Sequence, residues 1–365
     1  MMLAVATAAS AQWDIQESGT KASLRGIHSL GKGIAWASGT DGTVLRTEDG
    51  GYLWQHCTVP PGAEKLDFRG VQGFDENTAL VMSSGKGDLS RLYKTTDGCQ
   101  TWKLLYKNPD KEGFWDALLF SGPMSGLLLG DPVDGKFWLS QTADGGAHWR
   151  RQNNRGLQAD AAQQGAFAAS NSSIYERLGG LLFGTGGTGG AVIYERTGTS
   201  ICLDDCPEEE MDGHKDTWTR IPLPLGSKTE ASGIFSINGR TRVRGGSFAD
   251  GTLIAVGGDY LKPNDIAGTA AYSTDAARHW TASATPPNGY RSAVAYDSST
   301  KTWITVGPNG TDVSTDDGRN WRALKPGPND AADADKNWNA LSLPFVVGPH
   351  GRIGLLRPSA LSAKP

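Results

Sequence analysis

Thr47-Glu48-Asp49-Gly50-Gly51-Tyr52-Leu53-Trp54 decides the fold of this chain, because near-copies of it return along the sequence. Residues 142–149 (TADGGAHW) and 314–321 (STDDGRNW) keep the same Ser/Thr-x-Asp-x-Gly-x-x-Trp register. Residues 95–102 (TTDGCQTW) carry Cys99 at the Gly position, and residues 273–280 (STDAARHW) carry Ala277 there. A worn copy ends at Trp218. Each segment reads as a hairpin turn. The Asp carboxylate accepts backbone N–H groups within the turn. Gly supplies positive φ where the chain reverses, and the Trp fills apolar space between neighbouring sheets. The structural residues so assigned are Asp49, Trp54, Asp97, Trp102, Asp144, Trp149, Asp275, Trp280, Asp316 and Trp321. The wider intervals before Trp218 and Trp280 mark insertions at about 198–216 and 259–268.

Working outward, a second repeat precedes the turns. Leu24-Arg25-Gly26-Ile27, Phe68-Arg69-Gly70-Val71, Trp115-Asp116-Ala117-Leu118, Phe167-Ala168-Ala169, Ile234-Phe235-Ser236, Tyr290-Arg291-Ser292-Ala293 and Trp338-Asn339-Ala340-Leu341 hold equivalent places. Each is followed by an apolar run ending near Gly. The pattern predicts an inner strand, two further strands, the turn and an outer strand, repeated seven times. The last unit lacks its outer strand, which Gln12-Trp13-Asp14-Ile15-Gln16 can supply. The predicted architecture is therefore all-β: a seven-bladed propeller of four-stranded antiparallel blades, closed by the N-terminal strand. A β-sandwich would not explain the regular turns. Residues 12–365 are expected to form one domain. Residues 1–11, MMLAVATAASA, end in a small-residue A-x-A pattern and read as the remnant of a signal peptide, which implies a periplasmic or secreted protein.

These residues resemble a known family. The turns are similar to bacterial neuraminidase (BNR) repeats, also called Asp boxes, of the sialidase-like superfamily. The wider pattern, from RGI…WASGTDGTVLRTEDGGYLW to GYRSAV…VGPNGTDVSTDDGRNW, resembles the photosystem II stability/assembly factor-like propellers. The resemblance spans nearly all of residues 12–365. It implies a seven-bladed propeller outside the cytoplasm and, for photosynthetic members, a chaperone-like assembly role.

Composition narrows the chemistry. The chain has 365 residues, 49 Gly, 12 Trp and a formal net charge of -4, so no general attraction to nucleic acid or anionic lipid is expected. No segment has the apolar length of a membrane-spanning helix. Four cysteines occur. Cys202 and Cys206 in CLDDC are expected to form a local disulfide if the chain is exported; the pairing of Cys57 and Cys99 stays open. No metal-ligand spacing and no cofactor fingerprint is present. The Gly-rich run at 184–190 reads as a flexible turn, because no helix follows it to bind phosphate.

The repeat alignment puts Arg25, Arg69, Asp116, Ala168, Phe235, Arg291 and Asn339 at one level of the ring. Three guanidinium forks against one carboxylate form a positive focus suited to carboxylates or phosphates. The partner-binding set is Arg25, Arg69, Asp116, Arg291 and Asn339. The predicted function is a non-catalytic, monomeric exported propeller that binds a protein or peptide partner of acidic character. The alternative is a glycoside hydrolase of neuraminidase type or a glycan-binding propeller, with Asp131, Asp259 and Tyr260 as candidate catalytic residues. Against it, the R-I-P signature is missing after Arg25, and Asp131 and Asp134 in GDPVDG are ordinary turn formers. Arg240, Arg242 and Arg244 make a basic strand, readable as a solvated edge or a docking patch.

Overall fold

The computed structural model describes residues 12–152, 156–159, 164–177, 180–197, 217–244 and 247–362. The expected signal peptide, the Cys202–Cys206 pair and the 198–216 insertion lie outside the described residues.

The described chain is all-β apart from short helical turns, such as Pro358–Ser362. The first sheet runs Leu24–Gly31, Ile34–Gly39, Val44–Thr47 and Gln55–His56. The second runs Phe68–Gly73, Ala79–Ser83, Arg91–Thr95 and Lys103–Lys107, and the third Trp115–Phe120, Gly126–Val133, Lys136–Thr142 and Arg150–Arg151. A further sheet runs Ala293–Asp297, Thr302–Gly307, Gly310–Ser314 and Arg322–Ala323. In each, neighbours in sequence pair antiparallel. The N-terminal strand Trp13–Gln16 pairs antiparallel with Ile353–Leu356, beside Phe345–Val347 and Ala340–Ser342.

Between the third sheet and residue 293 lies one nine-stranded sheet. Its halves, built on Gly180–Gly187 and Ser232–Arg244, meet at Gly186 and Gly233. The Gly-rich run is only in part the turn its composition suggests: Gly180–Gly187 is a largely buried strand, and the turn is confined to residues 188–190. A Cβ on Gly186 would lie 2.2 Å from the Ser232 carbonyl oxygen, so the backbones approach too closely for any side chain. The hairpin Ser232–Arg244/Ser247–Asp259 extends beyond its neighbours. At its base the Arg240 guanidinium grips the Asp317 carboxylate with two hydrogen bonds, of 2.9 and 2.6 Å. Arg240 is therefore an internal clasp rather than a docking residue.

The repeat turns share one set of bonds. In the first, the Gly51 N–H donates to the Thr47 hydroxyl (2.9 Å), which donates to Asp49 Oδ1 (2.9 Å), and the Leu53 N–H donates to the same oxygen (3.0 Å). The turns at Asp97, Asp144, Asp275 and Asp316 repeat this. The Thr101 hydroxyl and N–H, bonding to the ionised form, hold the Asp97 carboxyl down at about 2. Three of the tryptophans tie their sheet to the one before, whereas Trp149 Nε1 donates to the Gly146 carbonyl of its own turn. Trp54 Nε1 donates to Gln16, Trp102 Nε1 to the Thr58 carbonyl and Trp321 Nε1 to Ser283. The core lies in the spaces between sheets, as where Trp36 packs with Phe68, Val71 and Val81.

The irregular second turn has a structural reason. Cys99 forms a disulfide with Cys57, 42 residues away, and takes φ +64° where the regular turns place Gly. The bond fastens the end of the first sheet to the turn of the second. Reduction, or Cys57→Ala, is expected to lower unfolding free energy by about 3 kcal/mol. Coincident urea midpoints with and without dithiothreitol would refute this.

Candidate functional site

Four of the inner strands share a local distortion at the residue that the repeat alignment singles out. The antiparallel register shifts between Leu24 and Gly26, between Phe68 and Gly70, between Trp115 and Ala117, and between Ile234 and Ser236. The extra residues are Arg25, Arg69, Asp116 and Phe235. A bulge re-aims its side chain away from the regular alternation. All four side chains line one cleft of about 520 Å³, joined by Ala168, Asn339, Asp131 and Tyr260.

Arg291, expected at the same level, does not join them. Its strand begins at Ala293 and carries no register shift. The guanidinium turns to Asp312, with Nε donating to Oδ2 at 2.9 Å and a second bond from Nη2. Both side chains are fully buried, and they border a separate cavity of about 330 Å³ with Asn309 and Asp335. Tyr290 and Ser292 line the cleft in Arg291's place. Arg291 is thus a structural ion-pair residue, because a buried carboxylate from the next strands captures it.

The two remaining arginines are positioned differently. Arg69 Nε donates to Asp67 Oδ2 (2.8 Å) and Nη1 to the Ala168 carbonyl (3.0 Å). Arg25 Nε lies 3.9 Å from Asp67 Oδ1. Burial, and then the neighbouring Arg69 charge, lower the proton affinity of Arg25. Both keep roughly a third of their side chain exposed. Asn339 Nδ2 donates to the Leu24 carbonyl (2.7 Å), so it straps adjacent inner strands while bordering the cleft.

Asp116 and Asp131 form an acid pair on the cleft wall. Burial, and then the neighbouring Asp131, raise the Asp116 carboxyl well above the usual range, with Arg69 opposing. Burial pushes Asp131 up to about 6, against an N–H donated by Ala166 at 3.0 Å. One Asp116 carboxyl oxygen has no hydrogen-bond partner among the described residues. A buried acid with a raised pKa favours the neutral form, so it costs stability as pH rises above its unfolded value near 4. Asp116→Asn is therefore expected to raise the urea midpoint at pH 8 and leave it unchanged at pH 3, where the carboxyl is protonated in both states. An unchanged midpoint at pH 8 would refute this.

Of the alternative catalytic trio, the cleft holds Asp131 and Tyr260 but not Asp259. Asp259 is buried and staples its own loop. Its Oδ2 accepts the Ser227 and Thr229 hydroxyls (3.2 and 2.9 Å), and its Oδ1 accepts the Leu261 N–H (3.0 Å). No Glu lines the cleft among the described residues. Asp134, with φ +53° beside Gly135 at +73°, is a hairpin-turn residue. Sequence reasoning missed the aromatic floor. Phe167 stacks on Phe235 at 3.9 Å, and Tyr290 meets Phe235 edge-on at 4.8 Å. No group of metal-ligating side chains occurs among the described residues, and no helix among them is long and apolar enough to cross a membrane.

No protein-family model matches the chain, and no curated protein matches it by sequence. Solved structures do. YCF48 bound to a D1 peptide aligns over 95% of this chain and 97% of its own, with a TM-score of 0.61 and 16% identity. YCF48 from Cyanidioschyzon merolae aligns over 96% and 99%, with a TM-score of 0.52 and 19% identity. At such identities the likeness concerns the fold. In fold, this chain is a β-propeller similar to that of YCF48.

Proposed function

We propose that this chain is an exported, monomeric, non-catalytic propeller that captures a peptide segment of a protein partner in the cleft between its inner strands. Seven blades closed by the N-terminal strand form its ring. The nine-stranded sheet counts as two blades joined at Gly186 and Gly233, and the pairing of Trp13–Gln16 with Ile353–Leu356 supports the closure. Contacts between inner strands also run round in sequence, with Leu24–Gly31 packed against both Phe68–Gly73 and Ala340–Ser342. The Cys57–Cys99 disulfide supports an oxidising compartment.

The observation that carries the functional reading is the convergence of bulged Arg25 and Arg69 on one cleft, each with roughly a third of its side chain exposed. Such forks suit a peptide carboxylate. A propeller of this fold, YCF48, has been seen with a D1 peptide bound. The glycoside-hydrolase reading keeps one supporting observation, the Asp116–Asp131 acid pair, but Asp259 is committed to its loop. Arg69→Ala is expected to weaken binding of labelled Gly/Ser peptides carrying a central Asp by about tenfold, as loss of a charge-assisted hydrogen bond would. Unchanged affinity in fluorescence anisotropy rejects the site, and release of reducing sugar from a glycan panel would favour the hydrolase.

A further inference from the structure

Beside the arginines stands an apolar feature that peptide capture by charge does not use. Residues 260–267 follow the strand Ser247–Asp259. Three large apolar side chains of this loop face water: Tyr260 is 48% exposed, Leu261 72% and Ile266 53%. Scattered exposed apolar residues are ordinary, but three on one short loop are not scattered.

The loop is also rigidly held. Asp259 fastens its start through Ser227, Thr229 and the Leu261 N–H. The Asp265 N–H donates to the Lys262 carbonyl, and the Ala267 N–H to the Asp265 carboxylate. The Pro263 carbonyl accepts the Tyr290 N–H and Asn309 Nδ2, and the Thr269 hydroxyl donates to the Ile266 carbonyl. Apolar side chains on a preorganised loop lose little freedom when a ligand covers them, so they can add affinity.

The loop is continuous with the cleft. Tyr260 lines it and meets Phe235 edge-on at 6.1 Å, and Phe235 meets Tyr290 at 4.8 Å. Burial raises the Tyr290 phenol well above its ordinary value, and the nearby Arg25 and Arg69 charges oppose the shift. Through Tyr260 the loop therefore joins the aromatic floor of the cleft that holds Arg25 and Arg69, and Leu261 and Ile266 are exposed on the same short loop.

Resting on the peptide-capture reading, we propose that the 260–267 loop is a second reading element, and that the partner is an extended peptide with aliphatic side chains directly beside its carboxylate. The carboxylate lies on Arg25 and Arg69. The aliphatic side chains cover Tyr260, Leu261 and Ile266.

The test compares two labelled peptides of Gly and Ser with one central Asp, followed by either Leu-Leu or Ser-Ser. The parent protein is expected to bind the Leu peptide about tenfold more tightly, the scale set by burying one or two aliphatic side chains. Leu261→Ser with Ile266→Ser, both on the surface, is expected to abolish that preference and leave the Ser peptide's affinity unchanged. A preference that survives the double substitution, or none in the parent, overturns the proposal while leaving Arg69-dependent capture standing. If Arg69→Ala alters neither peptide, both readings fall. Self-association, or binding to phosphatidylcholine vesicles, that the double substitution abolishes would also overturn it by giving the rim another occupant.

Discussion

The Arg291→Met protein is expected to lose about 3–5 kcal/mol of unfolding free energy, the usual penalty for removing one partner of a buried ion pair. Arg291 and Asp312 are fully buried, and the substitution leaves the Asp312 carboxylate without its counter-charge. The remaining donors to it are the Asn288 N–H and Nδ2, which are not charged. Adding Asp312→Leu is expected to recover more than half of the loss, because a buried pair replaced by apolar side chains is often near neutral. Urea unfolding of the parent, single and double variants measures both effects. A loss below about 1 kcal/mol for the single variant would show that the pair is not desolvated. Peptide affinity at the cleft is expected to stay as in the parent wherever the variant remains folded.

The second large effect is expected from Trp13→Ala, at about 3–5 kcal/mol for truncating a buried aromatic side chain. Trp13 is 2% exposed. Its Nε1 donates to the Thr311 hydroxyl at 3.2 Å, its ring lies 5.9 Å from that of Trp338, and Leu356 is its partner across the strand pair. Asp14, next in line, pairs with Arg357. These contacts join the first strand to the last sheet and to its neighbour. Trp13→Ala therefore probes directly the proposed closure of the ring by the first strand. An unfolding midpoint within about 0.5 kcal/mol of the parent, as for an ordinary surface substitution, would mean that the first strand contributes nothing to the folded unit.

Both predictions rest on residues whose partners lie far away in sequence, and this marks the limit of what could be read beforehand. The hairpin turns were legible because their chemistry is local: Thr47, Asp49 and Gly51 complete their bonds within one turn. Cys99 was visible as a departure from that pattern, but its cause, the bond to Cys57, required the two sheets to be brought together. The repeat alignment treated Arg25, Arg69 and Arg291 as equivalents. The structure separates them, since Arg25 and Arg69 sit at bulges and Arg291 does not. Asp259 read as a candidate catalytic residue of the alternative, whereas two hydroxyls on a neighbouring segment hold it.

By itself the sequence determined an all-β chain of repeated hairpins and the level at which each inner strand meets the cleft, because both depend on short-range periodicity and turn chemistry. The tertiary structure decided which side chains enter that cleft. A bulge offsets one strand by one residue and reverses where a side chain points, and nothing in composition announces it. It also decided that Arg291 belongs to Asp312, since the pairing of two buried charges depends on which distant strand lies within reach.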